Sequence, residues 1–241
     1  FFVNAANKNA LKQDGSKKFP FGTIDRAMRT INSLSKQNKK IKAKVYIKGT
    51  FSSNYSYIVS SPLWIIGTSS GKSDGESDVI SFGKNAGWVV SSSLLQLERF
   101  TIKRKEVANE PRTVPIFYAS LSHLGLEKVE VIGVEGGTMF SLSHASLSLQ
   151  SSSILSNQSA YCNVIEANNA ELSINSSNIE CTSQKIIALD SQNSTINLEN
   201  VRAGLNATYF AFFARCFNSN LTCKNALLST KGADKLTDAI I

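Results

Sequence analysis

The chain has 241 residues, 42% hydrophobic and 18% charged, which supplies a packed core and excludes a disordered protein. Its net charge of +8 is local: residues 1–50 carry 12 Lys and Arg against Asp14 and Asp25, whereas residues 51–241 carry 14 against 16 acidic residues, so the body of the chain is not expected to bind nucleic acid. No apolar run approaches the roughly 18 residues of a membrane span, and the 35 serines and 21 asparagines suit turns and stacked strands better than helices.

The opening Phe1-Phe2-Val3-Asn4 has neither an initiator Met nor a signal segment and reads as a processed or excised chain. Residues 23–35 carry one amphipathic helix. Thr23 stands at its cap, with Ile24, Ala27, Met28, Ile31 and Leu34 on one face and Arg26, Arg29 and Asn32 on the other. Lys36, Lys39, Lys40, Lys42 and Lys44 read as a solvated stretch after it. Extended segments follow at Val45-Tyr46-Ile47 and Leu63-Trp64-Ile65-Ile66-Gly67, with a turn at Gly49 between them. Residues 68–87 read as a loop insertion.

Beyond it the chain repeats itself. Counted from Leu95, apolar or small residues stand at offsets 0, +2, +5 and +7, and the pattern restarts at Leu124, Leu147, Leu172, Ile196 and Leu221, with spacings of 29, 23, 25, 24 and 25 residues. Offsets −7 and −5 repeat as well, from Trp88/Val90 to Ala214/Cys216, and offset −2 is always Ser or Ala. Each copy contains three short strands of period two, with a corner forced between +2 and +5. One copy cannot bury its apolar face alone, whereas stacked copies can, at roughly 4.8 Å per rung. The expected fold is therefore all-β, a right-handed single-stranded parallel β-helix with three strands per rung and rungs of about 25 residues, closed at its N-terminal end by the helix. Residues 1–67 form the entry strand, cap and first rungs, and residues 88–241 the regular rungs, in one structural domain. Ser152 and Ser177 at the inward offset +5 are expected to hydrogen-bond along the stack. Ile240 lies 26 residues after Ala214, which reads as the start of a further rung onto which more rungs of the same chain would stack, a short closing strand being the alternative.

The four cysteines show no metal-ligand spacing. Cys216 and Cys223 are expected inside the stack as buried thiols. Cys162 and Cys181 flank one rung, and either a disulfide or two free thiols fits that placement.

The run Asp14-Gly15-Ser16, then Phe19-Pro20-Phe21-Gly22-Thr23-Ile24, then Val45-Tyr46-Ile47-Lys48-Gly49 and Leu63–Gly67 resembles the entry module of pectin-lyase-like right-handed β-helix proteins. That resemblance implies the fold. It does not imply an activity, because the superfamily mixes lyases, hydrolases, tailspikes and non-enzymatic surface domains. The Asp-Asp pair, Gly-His-Gly, Arg-Ile-Lys and clustered aspartates that the resemblance would bring in its enzymes are absent from this sequence, and Gly136-Gly137 reads as an ordinary turn. No metal site and no cofactor are expected. His123 and His144 read as corner side chains touching their neighbours.

One outward column invites a functional reading. Offset −6 gives Val89, Tyr118, Ser141, Glu166, Asp190 and Arg215, with Asn168, Gln192 and Phe217 beside it at offset −4. In register, Glu166 and Asp190 would lie about 5 Å apart, a separation suited to an acid and a nucleophile in glycoside cleavage. The competing reading is a charge ladder closed by Arg215, of little energetic weight at a solvated surface. With no catalytic motif elsewhere, the sequence points to a non-enzymatic extracellular or cell-surface module of a bacterial protein, an adhesin or stalk. Tyr118, Ser141, Glu166, Asn168, Asp190, Gln192, Arg215 and Phe217 are its candidate contacts for a host receptor or a glycan. The alternative is a carbohydrate-active enzyme using Glu166, Asp190 and Arg215.

Overall fold

The computed structural model describes residues 1–8, 11–38, 41–69, 77–104, 114–134, 137–157 and 161–232. Every strand pairing among them is parallel, and each strand pairs with the equivalent strand of the rungs before and after it. Three faces result, as the offsets imply. The second face, at offsets −1 to +3, is one nine-stranded sheet running from Phe2–Asn4 through Ala43–Lys48 and Leu63–Gly67 to Asn220–Lys224. The third face begins at Thr50–Ser53 and the first at Tyr57–Val59. These two merge into a single thirteen-stranded sheet, because Asn178–Gln192 and Arg202–Phe217 each run without a break from the third face of one rung to the first face of the next.

The register reproduces the repeat. Leu95 pairs with Leu124, Leu124 with Leu147, Leu147 with Leu172, Leu172 with Ile196, and Ile196 with Leu221. Side chains at offsets 0, +2, +7, −5 and −7 are buried through the middle of the stack. The interior is aromatic near the cap, where Tyr57, Phe82 and Trp88 pack ring to ring and Phe117 stacks on Phe140 at 4.8 Å. In later rungs it is mostly Ala, Ile, Leu and Ser, with Phe213 the buried ring there.

Two corners per rung are each built on a single residue with positive φ. These residues are Ser92, Leu121, His144, Asn169, Asn193 and Asn218 at offset −3, and Arg99, Lys128, Ser151, Ser176, Asn200 and Asn225 at offset +4, all with φ between 49° and 57°. The backbone N–H of ten of them donates to a carbonyl of the next rung, as Leu121 does to Ser143 and Asn200 to Lys224, the other two, Asn218 and Asn225, standing on the last described rung. The ladder therefore continues around the bend. The residue that follows faces inward; it is Ser or Ala after the first of these corners, whereas the second also takes buried Phe100, Val129 and Val201. Ser152 shows what a serine does there: its Oγ accepts from Val129 N–H of the rung before it and donates to the carbonyls of Leu126 and Gln150. Ser194 does the same for Ala170 N–H, and Ser177 for Ser152 N–H. The inward serines thus do hydrogen-bond along the stack, and they satisfy backbone donors that the corner would otherwise leave buried and unpaired.

The capping helix spans Ile24–Gln37, with the Thr23 hydroxyl accepting from Arg26 N–H and Ile24, Ala27, Met28 and Ile31 buried. Its apolar stripe lies against the open end of the stack.

Two expectations are corrected. Residues 68–87 are not only a loop, since Val79–Phe82 is a third-face strand paired with Thr50–Ser53 and Thr101–Arg104. Buried Asp78 anchors its start by accepting from Gly49 N–H and from the Ser69 N–H and hydroxyl. The repeat missed it because the rung's second-face strand, Leu63–Gly67, is separated from it by a longer excursion. Cys216 and Cys223 do occupy inward offsets, pairing with Ser191 and Leu198, yet both are exposed, because they sit on the last described rung and an inward position is buried only where a further rung covers it. Cys162 and Cys181 are buried free thiols in mutual contact, and that contact together with burial pushes the Cys181 thiol up. Ile240, Lys39, Lys40, Gly136 and the sequence expectations attached to them lie outside the described residues.

The corner geometry predicts that Leu121→Asn, an exposed position with φ 50°, raises stability by about 0.5–1 kcal/mol in urea unfolding, since Asn tolerates the left-handed region better than Leu. Titration of the native protein with a thiol reagent is expected to count two fast thiols, Cys216 and Cys223, with Cys162 and Cys181 reacting only after unfolding. Four fast thiols would contradict the buried placement of that pair.

Candidate functional site

The structure brings the sequence-predicted residues together on the first face. Val89, Tyr118, Ser141, Glu166, Asp190 and Arg215 are consecutive register partners, and Ser143, Asn168, Gln192 and Phe217 form the adjacent row. Both rows point outward because Ala119, Leu142, Ala167 and Ser191 between them are buried.

Each carboxylate is already engaged. Arg215 donates Nε to Asp190 Oδ1 at 3.0 Å and closes a second bond from Nη2 to Oδ2. The hydrogen bond to Asp190 holds the Arg215 guanidinium above its ordinary pKa. Glu166 Oε1 accepts from Asn163 Nδ2 at 2.7 Å. The column is thus a ladder that ends in a two-pronged ion pair, with Arg215 61% exposed and Asp190 partly covered at 26%.

Several members of this face were not singled out from the sequence. Tyr161, Lys185 and Phe210 are register partners, as are Asn163, Ile187 and Phe212. Tyr161 is half-buried, and burial raises its phenol. The Lys185 ammonium lies 6.0 Å from the Phe210 ring centre, and Phe210 packs on Phe212 at 5.4 Å. The face therefore carries more aromatic surface than Tyr118 and Phe217 alone. These residues escaped notice because alternation breaks just before offset −7, where Val164-Ile165, Ala188-Leu189 and Phe213-Ala214 are buried in pairs. The signal was present in the spacing, since Tyr161, Lys185 and Phe210 recur at 24 and 25 residues, the period of the rungs.

The histidines touch their neighbours. His123 Nδ1 is 2.7 Å from Ser146 Oγ, its register partner, and His144 Nδ1 is 3.2 Å from Ser143 Oγ. Both line a shallow, open groove along the corner between first and second faces, together with Leu121, Glu171 and Asn193.

No protein-family model matches the chain, and neither a curated protein nor a solved structure matches it significantly.

The exposure of the Asp190–Arg215 pair predicts a small energetic role. Asp190→Asn is expected to lower stability by no more than about 1 kcal/mol, with the difference shrinking as salt is raised. A loss of several kcal/mol in chemical unfolding would instead mark the pair as a structural clamp.

Proposed function

We propose that this chain is a non-enzymatic β-helix module of a secreted or surface-exposed bacterial protein, with the first face as its contact surface for a glycan or a host receptor. The observation that carries the reading is the state of the carboxylates. An acid and nucleophile for glycoside cleavage must be held apart in protonation by their surroundings. Here Asp190 is neutralised by a guanidinium and Glu166 is held by a carboxamide, on a face open to solvent.

What the face offers is recognition chemistry. Rows of Ser, Asn and Gln alternate with charged groups, and Tyr118, Phe210 and Phe217 supply ring surface. A parallel ladder sets these different side chains at a fixed spacing, one from each rung, which suits an extended ligand such as a polysaccharide. The resemblance of residues 1–67 to the pectin-lyase-like entry module agrees with this reading and with its rival, since that superfamily holds both enzymes and binding domains. The rival, a carbohydrate-active enzyme using Glu166, Asp190 and Arg215, draws on one observation, the direct register pairing of the two carboxylates.

A glycan and host-matrix array read for retention and product release in parallel decides between them. The expected result is retention without product, weakened by Phe217→Ala and Gln192→Ala. Product formation that disappears in Glu166→Gln would establish the enzyme, and neither retention nor product would leave the module as a spacer.

A further inference from the structure

We propose that the cavity between the capping helix and the first strand of the first face, Tyr57–Val59, is a second binding site, one that takes a single neutral sugar unit. It lies at the capped end of the solenoid and is independent of the Glu166–Asp190–Arg215 column. Its volume is about 390 Å³, within the range of roughly 300–1,000 Å³ typical of small-molecule sites.

The helix supplies one wall. Asp25, Arg29 and Asn32 stand at i, i+4 and i+7 on the polar face of the helix, and Met28 borders them from the buried apolar stripe. The opposite wall is Tyr55, Tyr57 and Ile58. Asp25 is set in place from below: its Oδ1 accepts from the Tyr57 hydroxyl at 2.6 Å and from Ser53 Oγ at 3.0 Å. Tyr57 is itself wedged against Phe82 and Trp88, and burial keeps its phenol protonated as a donor. The polar floor is therefore rigid before any ligand arrives.

The groups left over define the ligand. Among the described residues, Asp25 Oδ2 has no hydrogen-bond partner, Arg29 uses only Nε, toward the Asp25 carbonyl, and the Asn32 carboxamide is unpaired. A carboxylate acceptor beside planar N–H donors matches adjacent hydroxyls, each of which donates and accepts at once. Tyr55, 74% exposed at the rim, presents a ring to the C–H face of a pyranose, and Met28 and Ile58 complete an apolar side. A cation is the poorer match, because Asp25 already receives two hydroxyl donors and faces Arg29. An anion is disfavoured by the same carboxylate.

The test uses the whole 241-residue chain and the methyl glycosides of glucose, galactose, mannose, fucose and N-acetylglucosamine, screened by saturation-transfer NMR and titrated where transfer is seen. At least one is expected to bind. Tyr55→Ala and Asn32→Ala, both checked for native circular dichroism, are each expected to weaken it at least tenfold. Leu227→Ala, an exposed position outside both the cavity and the first-face rows, is expected to leave it unchanged. The proposal is overturned if none of the five glycosides binds, if binding survives both cavity variants, or if free amino acids rather than glycosides show the dependence on Tyr55 and Asn32.

Discussion

Everything in this molecule hangs on two residues per rung that hold the left-handed conformation. A parallel solenoid must bend its chain without losing the inter-rung ladder, and one residue with φ near 50° does this in the shortest space. Its N–H still reaches the next rung, and the residue after it is thrown inward, where only Ser, Ala or a well-packed apolar side chain fits. Because every described corner from Ser92 to Asn225 uses the same device at the same two offsets, the strands between corners keep their register. Equivalent side chains then fall into columns. The left-handed region costs an ordinary L-residue about 1–2 kcal/mol, and Asn, the residue that tolerates it best after Gly, occupies five of the six corners from Asn169 onward. There the side chains add their own ladder, Asn218 to Asn193 and Asn225 to Asn200.

The columns determine what the interior and the surface can be. Inside, each column stacks the equivalent side chains of successive rungs, with rings on rings near the cap and aliphatic and serine side chains mixed further on. The serines are not a concession of the core to polarity. Ser122, Ser152, Ser177, Ser194 and Ser219 each relieve a backbone amide at a corner, so replacing one by an apolar residue of similar size would leave that donor unpaired. Outside, a column brings together residues that are 24 or 25 positions apart in the chain, and chemistry arises from that stacking. Glu166, Asp190 and Arg215 meet only because their rungs are in register.

The two candidate binding regions differ in how they are built. The first face is a flat column with one side chain per rung, on which Asp190 is paired with Arg215 and Glu166 is held by the Asn163 carboxamide. The cavity at the cap is singular. It exists where the helix leaves the repeat pattern and Asp25 is tethered to the first rung through Tyr57 and Ser53. Unpaired polar groups collect at such a junction because neither the helix ladder nor the rung ladder uses them.

The sequence by itself determined the rung length, the three strands per rung, their inward positions and the helix from Thr23, because period-two and period-3.6 patterns follow directly from where Cβ atoms point. It also identified the column of Tyr118, Ser141, Glu166, Asp190 and Arg215, since columns are only the repeat read sideways. Other features were decided by the tertiary structure alone. The strand at Val79–Phe82 is recognisable only by its partners on either side. The paired buried residues that displace Tyr161 and Asn163 break a local alternation which neighbouring rungs share. Cys216 and Cys223 stand at inward offsets yet are exposed, because burial depends on what is stacked above and below, and no offset encodes that. The cavity beside Asp25 joins residues from a helix and from a strand about 30 positions later, a contact that exists only once the cap has docked on the first rung.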